Sequence, residues 1–136
     1  MWKAAVLAGI LATPVVAQDF DQTDAVEVLG CSISDQQFSD YTIQCRIVSR
    51  SSQPIATVSF ALRVSEAGRS IPWSEEGFPG QPPRIRPIRG GLEPGEEVGI
   101  FFGSFYPDER MVIENVSAQL FLLEAHNVSG EAVSSD

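Results

Sequence analysis

The chain has 136 residues, 43% of them hydrophobic and 20% charged, with eighteen Asp and Glu against nine Lys and Arg and a formal net charge of −9. That is the length of one compact domain able to bury a core of its own. The acidity excludes nucleic acid and anionic lipid as partners held by charge, because both require a basic face.

The first element in the chain is a secretory leader. Met1, Trp2 and Lys3 make a short basic start, residues 4–12 are an uncharged apolar run, and Val15, Val16 and Ala17 place modest side chains where a signal peptidase reads. The apolar run is too short to span a bilayer as a helix. Cleavage after residue 17 predicts a periplasmic or secreted chain of 136 − 17 = 119 residues, with no transmembrane segment left. The only lysine, Lys3, leaves with the leader, so eight arginines face eighteen carboxylates and the net charge becomes 8 − 18 = −10.

Residues 18–24 are polar and acidic and read as a flexible mature N-terminus. Asp19, Asp21 and Asp24 lack the glycine and the closing glutamate that a calcium loop needs, and belong to that terminus.

Period-two alternation then dominates, the mark of half-buried strands. Leu29, Cys31 and Ile33 share one face while Val26 and Val28 hold the other parity, and Gly30 is placed to host a bulge that reconciles them. Tyr41, Ile43, Cys45 and Ile47 alternate with Thr42, Gln44 and Arg46. Val58, Phe60, Leu62 and Val64 alternate with Ser59 and Arg63, and Val116, Ala118, Leu120 and Leu122 with Ser117 and Gln119. Polar and glycine- or proline-bearing turns separate these runs, notably 34–40, 49–54, 66–68, 92–96 and 106–109. The interval 72–91 holds five prolines and four glycines. Within it, residues 84–89 read as an edge strand, since Pro87 has no N–H for a central ladder. About six to eight strands and no helical stripe predict an all-β, antiparallel β-sandwich over residues 25–126. Residues 127–136 are small and polar and read as a disordered tail.

Cys31 and Cys45 are the only cysteines. In an oxidising compartment the pair reads as a disulfide closing a loop of about 15 residues, worth roughly 3 kcal/mol in the chain-entropy treatment. A metal site would want more ligands than the single histidine, His126, supplies, and the spacing is not Cys-x-x-Cys. In an antiparallel hairpin with Cys31 opposite Cys45, Leu29 faces Ile47 and Ile33 faces Ile43, so one register serves bridge and core together. A bridge between opposed sheets is the alternative.

The stretch 41–97 resembles the small bacterial extracytoplasmic immunoglobulin-like domains of the FxLYD type. The matching features are the strand 41–48, the polar turn ending at Pro54, Val58-x-Phe60-x-Leu62, Gly68, and the turn Leu92-Glu93-Pro94-Gly95-Glu96. Arg63-Val64 stands where the family has Tyr-Asp. The resemblance implies a binding or assembly role outside the cytoplasm without catalysis, and transfers no site residues.

Chemistry-bearing constellations are few. His126 has no nucleophile motif beside it, and the carboxylate pairs Glu75-Glu76 and Asp108-Glu109 lie in turns, so no enzyme and no cofactor is expected. Arg84, Arg86 and Arg89 fall within six residues of an acidic chain. They suit either internal pairing with Glu75, Glu76, Glu93 or Glu96, or contact with an acidic partner. Phe101 and Phe105 share a parity, as do Phe121 and Leu123. If their strands are neighbours, the four form an outer apolar patch, either covered by segment 72–91 through Trp73, Phe78, Ile85 or Ile88, or open to a partner or a second copy. The expected function is a module that docks on another envelope protein, using Arg84, Arg86, Arg89, Trp73 and Phe78, with the phenylalanine face as a second surface. The alternative is a small-ligand protein, with carbohydrate on Trp73, or an accessory subunit of an enzyme complex.

Overall fold

The computed structural model describes residues 21–35 and 40–135. The leader expected over 1–17, Asp19, and most of the first turn lie outside the described residues. The elements are β1 (Val26–Asp35), β2 (Tyr41–Ser49), β3 (Ile55–Glu66), β4 (Ser74–Glu76), β5 (Arg84–Leu92), β6 (Glu97–Phe105), β7 (Val116–His126) and β8 (Ala132–Val133). The one helical element described is a single 3-10 turn, Ile113–Asn115. Among the described residues no helix is long and apolar enough to cross a membrane.

All pairings are antiparallel. One sheet has the order β1-β2-β6; the other runs β4-β3-β7-β8, with β5 also paired to β3. The inward residues of both sheets form one core that includes Ile43, Cys45, Ile47, Ile55, Val58, Phe60, Leu62, Leu92, Phe102 and Leu122. The described residues thus form an eight-stranded sandwich, as the alternation predicts. Phe60 on β3 and Phe102 on β6 meet edge to face across the two sheets, centroids 5.0 Å apart.

The disulfide joins Cys31 and Cys45, directly opposite on neighbouring strands, with Cα atoms 4.0 Å apart. It staples one sheet to itself rather than one sheet to the other. Ile33 faces Ile43 as expected, but the register slips at Leu29: Val28, not Leu29, faces Ile47. The reason is the bulge at the position Gly30 marked. Leu29 is the extra residue and turns outward, and Val26 and Val28 recover the core face.

Bulges in β6 and β7 likewise place a large apolar side chain at the extra residue. Phe102 is extra against β2, where Ile43 pairs with Gly103 and Gln44 with Phe101. Leu123 is extra against β3, where Phe60 pairs with Leu122 and Ser59 with Glu124. Each lets the buried parity switch along its strand. β1 and β6 are therefore bulged edges, β5 carries Pro87 at its pairing with Thr57, and β8 has two residues. Such edges discourage strand addition.

Both ends of the described part of the chain are tied down more than their composition suggests. The tail expected to be disordered adds β8, whose Ala132 and Val133 pair with His126 and Ala125, and Val133 is buried in the core. Asn127 Oδ1 holds the preceding turn by accepting from the N–H groups of Ser129 and Glu131, each at 3.0 Å. Within the expected flexible N-terminus, the Thr23 N–H donates to Leu122 O at 2.9 Å and Asp24 accepts from the Ser135 N–H at 3.2 Å. A short apolar pair with an open ladder beside it is enough to order a polar segment.

Candidate functional site

The β3–β4 and β6–β7 connections leave the same pole of the sandwich, because Glu66 at the end of β3 pairs with Val116 at the start of β7. Glu66 then knits the two loops. Its buried carboxylate accepts from Trp73 Nε1 at 2.9 Å and from the Val112 N–H at 3.3 Å. Backbone bonds from Trp73 N to Val64 O at 2.8 Å and from Ala67 N to Asn115 O at 3.0 Å complete the frame. A buried carboxylate needs such donors, and losing them would leave its charge uncompensated.

On this frame the Trp73 ring packs partly into the core and meets two guanidinium groups. Arg69 lies 4.6 Å from the ring centroid and Arg110 5.2 Å from it. Arg69, Ile71, Trp73 and Arg110 line an open cleft of about 510 Å³. Arg110 holds Asp108 with a fork: Nε to Oδ1 at 2.9 Å and Nη2 to Oδ2 at 3.2 Å, with its own N–H on Oδ1 at 2.9 Å. These bonds, chiefly those of the Arg110 side chain, with added attraction from the charges of Arg110 and Arg69, hold the Asp108 carboxyl down to about 2. Because the folded value lies below the ordinary one, the contact stabilises the loop above about pH 4 and is lost as pH falls through about 2. Carboxyl NMR should place the Asp108 midpoint near pH 2 and, in Arg110→Ala, back toward the ordinary range. An unmoved midpoint in the variant would show that the fork is not its cause.

The other expected site residues are dispersed. Arg84 pairs with Glu76, and its guanidinium lies 5.8 Å from the Phe60 ring. Arg84 and Arg86 stand opposite Phe60 and Val58, so their stems share the core-side face of an edge strand. Arg86 is half-buried, with its Nε unpartnered. Arg89 is exposed on the opposite face with no ion pair among the described residues. The three arginines therefore do not form one surface. Internal pairing accounts for Arg84 through Glu76.

The outer patch of Phe101, Phe105, Phe121 and Leu123 does not form, because β6 and β7 lie in different sheets. Phe101 is on the outside, 43% exposed. Phe105 turns to the core after the Phe102 bulge and stacks on Tyr41 at 5.6 Å. Phe121 and Leu123 share the outer face of the other sheet, where Phe78 of the proline-rich segment covers them. Phe78 meets Phe121 edge to face at 5.8 Å, and Arg63 lies 4.8 Å from the one ring and 5.6 Å from the other while donating to Glu75 at 2.7 Å. Gly77 makes this fold-over possible: it has φ +77°, and a Cβ there would strike the Phe60 carbonyl oxygen. Ile88 enters the core and Ile85 stays exposed.

Arg69, Arg110 and Glu66 were not singled out in the sequence. The signal available was that both arginines follow turn residues, Gly68 and Glu109, but only the topology brings those turns together. Set beside known proteins, the chain matches no family model, no curated protein and no solved structure.

Proposed function

We propose that the protein is a non-catalytic binding or assembly module, exported to the periplasm or secreted, that docks on another envelope protein through the pole around Trp73. The observation that carries this reading is the exposed apolar side chains there: Ile71 is 78% and Tyr106 76% exposed, with Val112 exposed nearby. Exposed apolar groups beside arginine and tryptophan have the composition of interface hot spots. The leader pattern, the disulfide and the resemblance to FxLYD-type domains support an extracytoplasmic setting. Carbohydrate on Trp73 is the weaker reading, since two guanidinium groups already lie against the ring.

Site-directed photocrosslinking in the native envelope tests this. A crosslinker replacing Ile71 should give a discrete heterologous adduct. The same group at Val128, exposed in the β7–β8 turn at the opposite pole, should not. Identical adduct patterns from both positions, or none from position 71, would remove the pole as a docking surface.

A further inference from the structure

We infer that Arg69 and Arg110, stacked against Trp73, form a receptor for the carboxylates of an acidic peptide segment in the docked partner. This rests on the docking reading above and adds the chemistry that the pole selects. The first support is that the site already binds a carboxylate: the Arg110 fork grips Asp108 through two side-chain nitrogens. The second is Arg69. Carboxylates outnumber arginines eighteen to eight, and Arg46, Arg50, Arg63 and Arg84 each hold a glutamate. Arg69, like Arg86 and Arg89, holds none among the described residues, and unlike them it lies over an indole, exposed, with its charge reaching Asp108.

Stacking explains why the position is prepared. A guanidinium laid against an indole keeps its N–H edge free, and less rotamer freedom remains to be lost when that edge takes a carboxylate. Glu66 fixes the indole from below through Nε1, so the arginine rests on an anchored ring. The exposed Ile71, which lines the same cleft, favours a peptide, which brings apolar side chains along with its acids, over a bare inorganic anion. The overall negative charge does not forbid this, since charges beyond about 8 Å are largely screened at physiological ionic strength.

Trp73 reports on the site directly. Trp2 is the only other tryptophan, so the full chain carrying Trp2→Phe has a single indole fluorophore. Titration with hexaglutamate at physiological salt should give a saturable change in its emission. Arg69→Ala should weaken the half-saturation by about tenfold or more, as expected for one charge-assisted fork, and Arg69→Lys, which keeps the charge and loses the fork, should fall between. Arg89→Ala, an exposed arginine elsewhere, should leave it unchanged. No saturable response, an equal response in Arg69→Ala, or saturation by inorganic phosphate at the same concentration would overturn the proposal. An adduct at position 71 that persists in Arg69→Ala would leave docking standing and overturn carboxylate recognition. Hexaglutamate binding with no adduct at 71 would support carboxylate recognition and overturn docking.

Discussion

Replacing Phe60 with alanine should lower the free energy of unfolding by about 3–5 kcal/mol, the upper range for deleting a buried aromatic ring. A domain of this size holds roughly 5–15 kcal/mol in total, so the variant should sit close to its threshold. Phe60 is 2% exposed and lies on β3, the strand to which β4, β5 and β7 all pair. Its ring fills the space between the sheets against Phe102, and Arg84 closes over it from the edge. Collapse into the cavity is hindered because the backbone at Phe60 is fixed on both sides, by β5 and by β7. The measurement is a shift in the urea midpoint with an unchanged slope. Phe101→Ala is the internal comparison, since the same ring on the outer face of the same sandwich should cost only a small part of that amount. Equal costs at the two positions would mean that the core is not centred between these sheets.

Phe60 also shows what was readable in advance. Its place in the run Val58-x-Phe60-x-Leu62 fixed both its strand and its buried side, because period two leaves only two faces to choose from. The hairpin register held at Cys31–Cys45 and Ile33–Ile43, where one face serves bridge and core together, although a bridge between sheets was the alternative the pattern left open. The failures cluster at bulges. Gly30 advertised one through its missing side chain, yet the residue displaced was its neighbour Leu29. Phe102 and Leu123 are large apolar side chains at the extra position, which nothing in a local pattern distinguishes from regular strand. A single such insertion reverses every later assignment on the strand, which is how Phe105 came to face the core. The candidate site was half legible. Trp73 stood out as an aromatic in a proline-rich loop, but Arg69 and Arg110 converge on it only through the crossing of β6 to β7 over the pole. Strand order, which decides that convergence, is a long-range property that no local window contains.

The second large effect concerns the bridge. Replacing Cys31 and Cys45 together with alanine should cost about 3 kcal/mol, from the extra freedom of a loop of roughly 15 residues in the unfolded chain. The native cost is smaller and local. The bridge lies within one sheet and ties the edge strand β1 to β2, while the two sheets are held together by Phe60, Phe102, Ile43, Leu122 and their neighbours. The double variant should therefore stay a cooperatively folded sandwich with a lower midpoint. Its amide exchange should rise most in β1, which keeps only the β2 ladder and its packing on β7, and least in β3, paired along both edges. A bridge that joined the sheets would behave differently: its loss would loosen β3 and β7 as much as β1. Uniform acceleration of exchange across both sheets, or a midpoint that does not move on reduction, would contradict the view that packing alone closes this sandwich and that the cystine guards one of its edges.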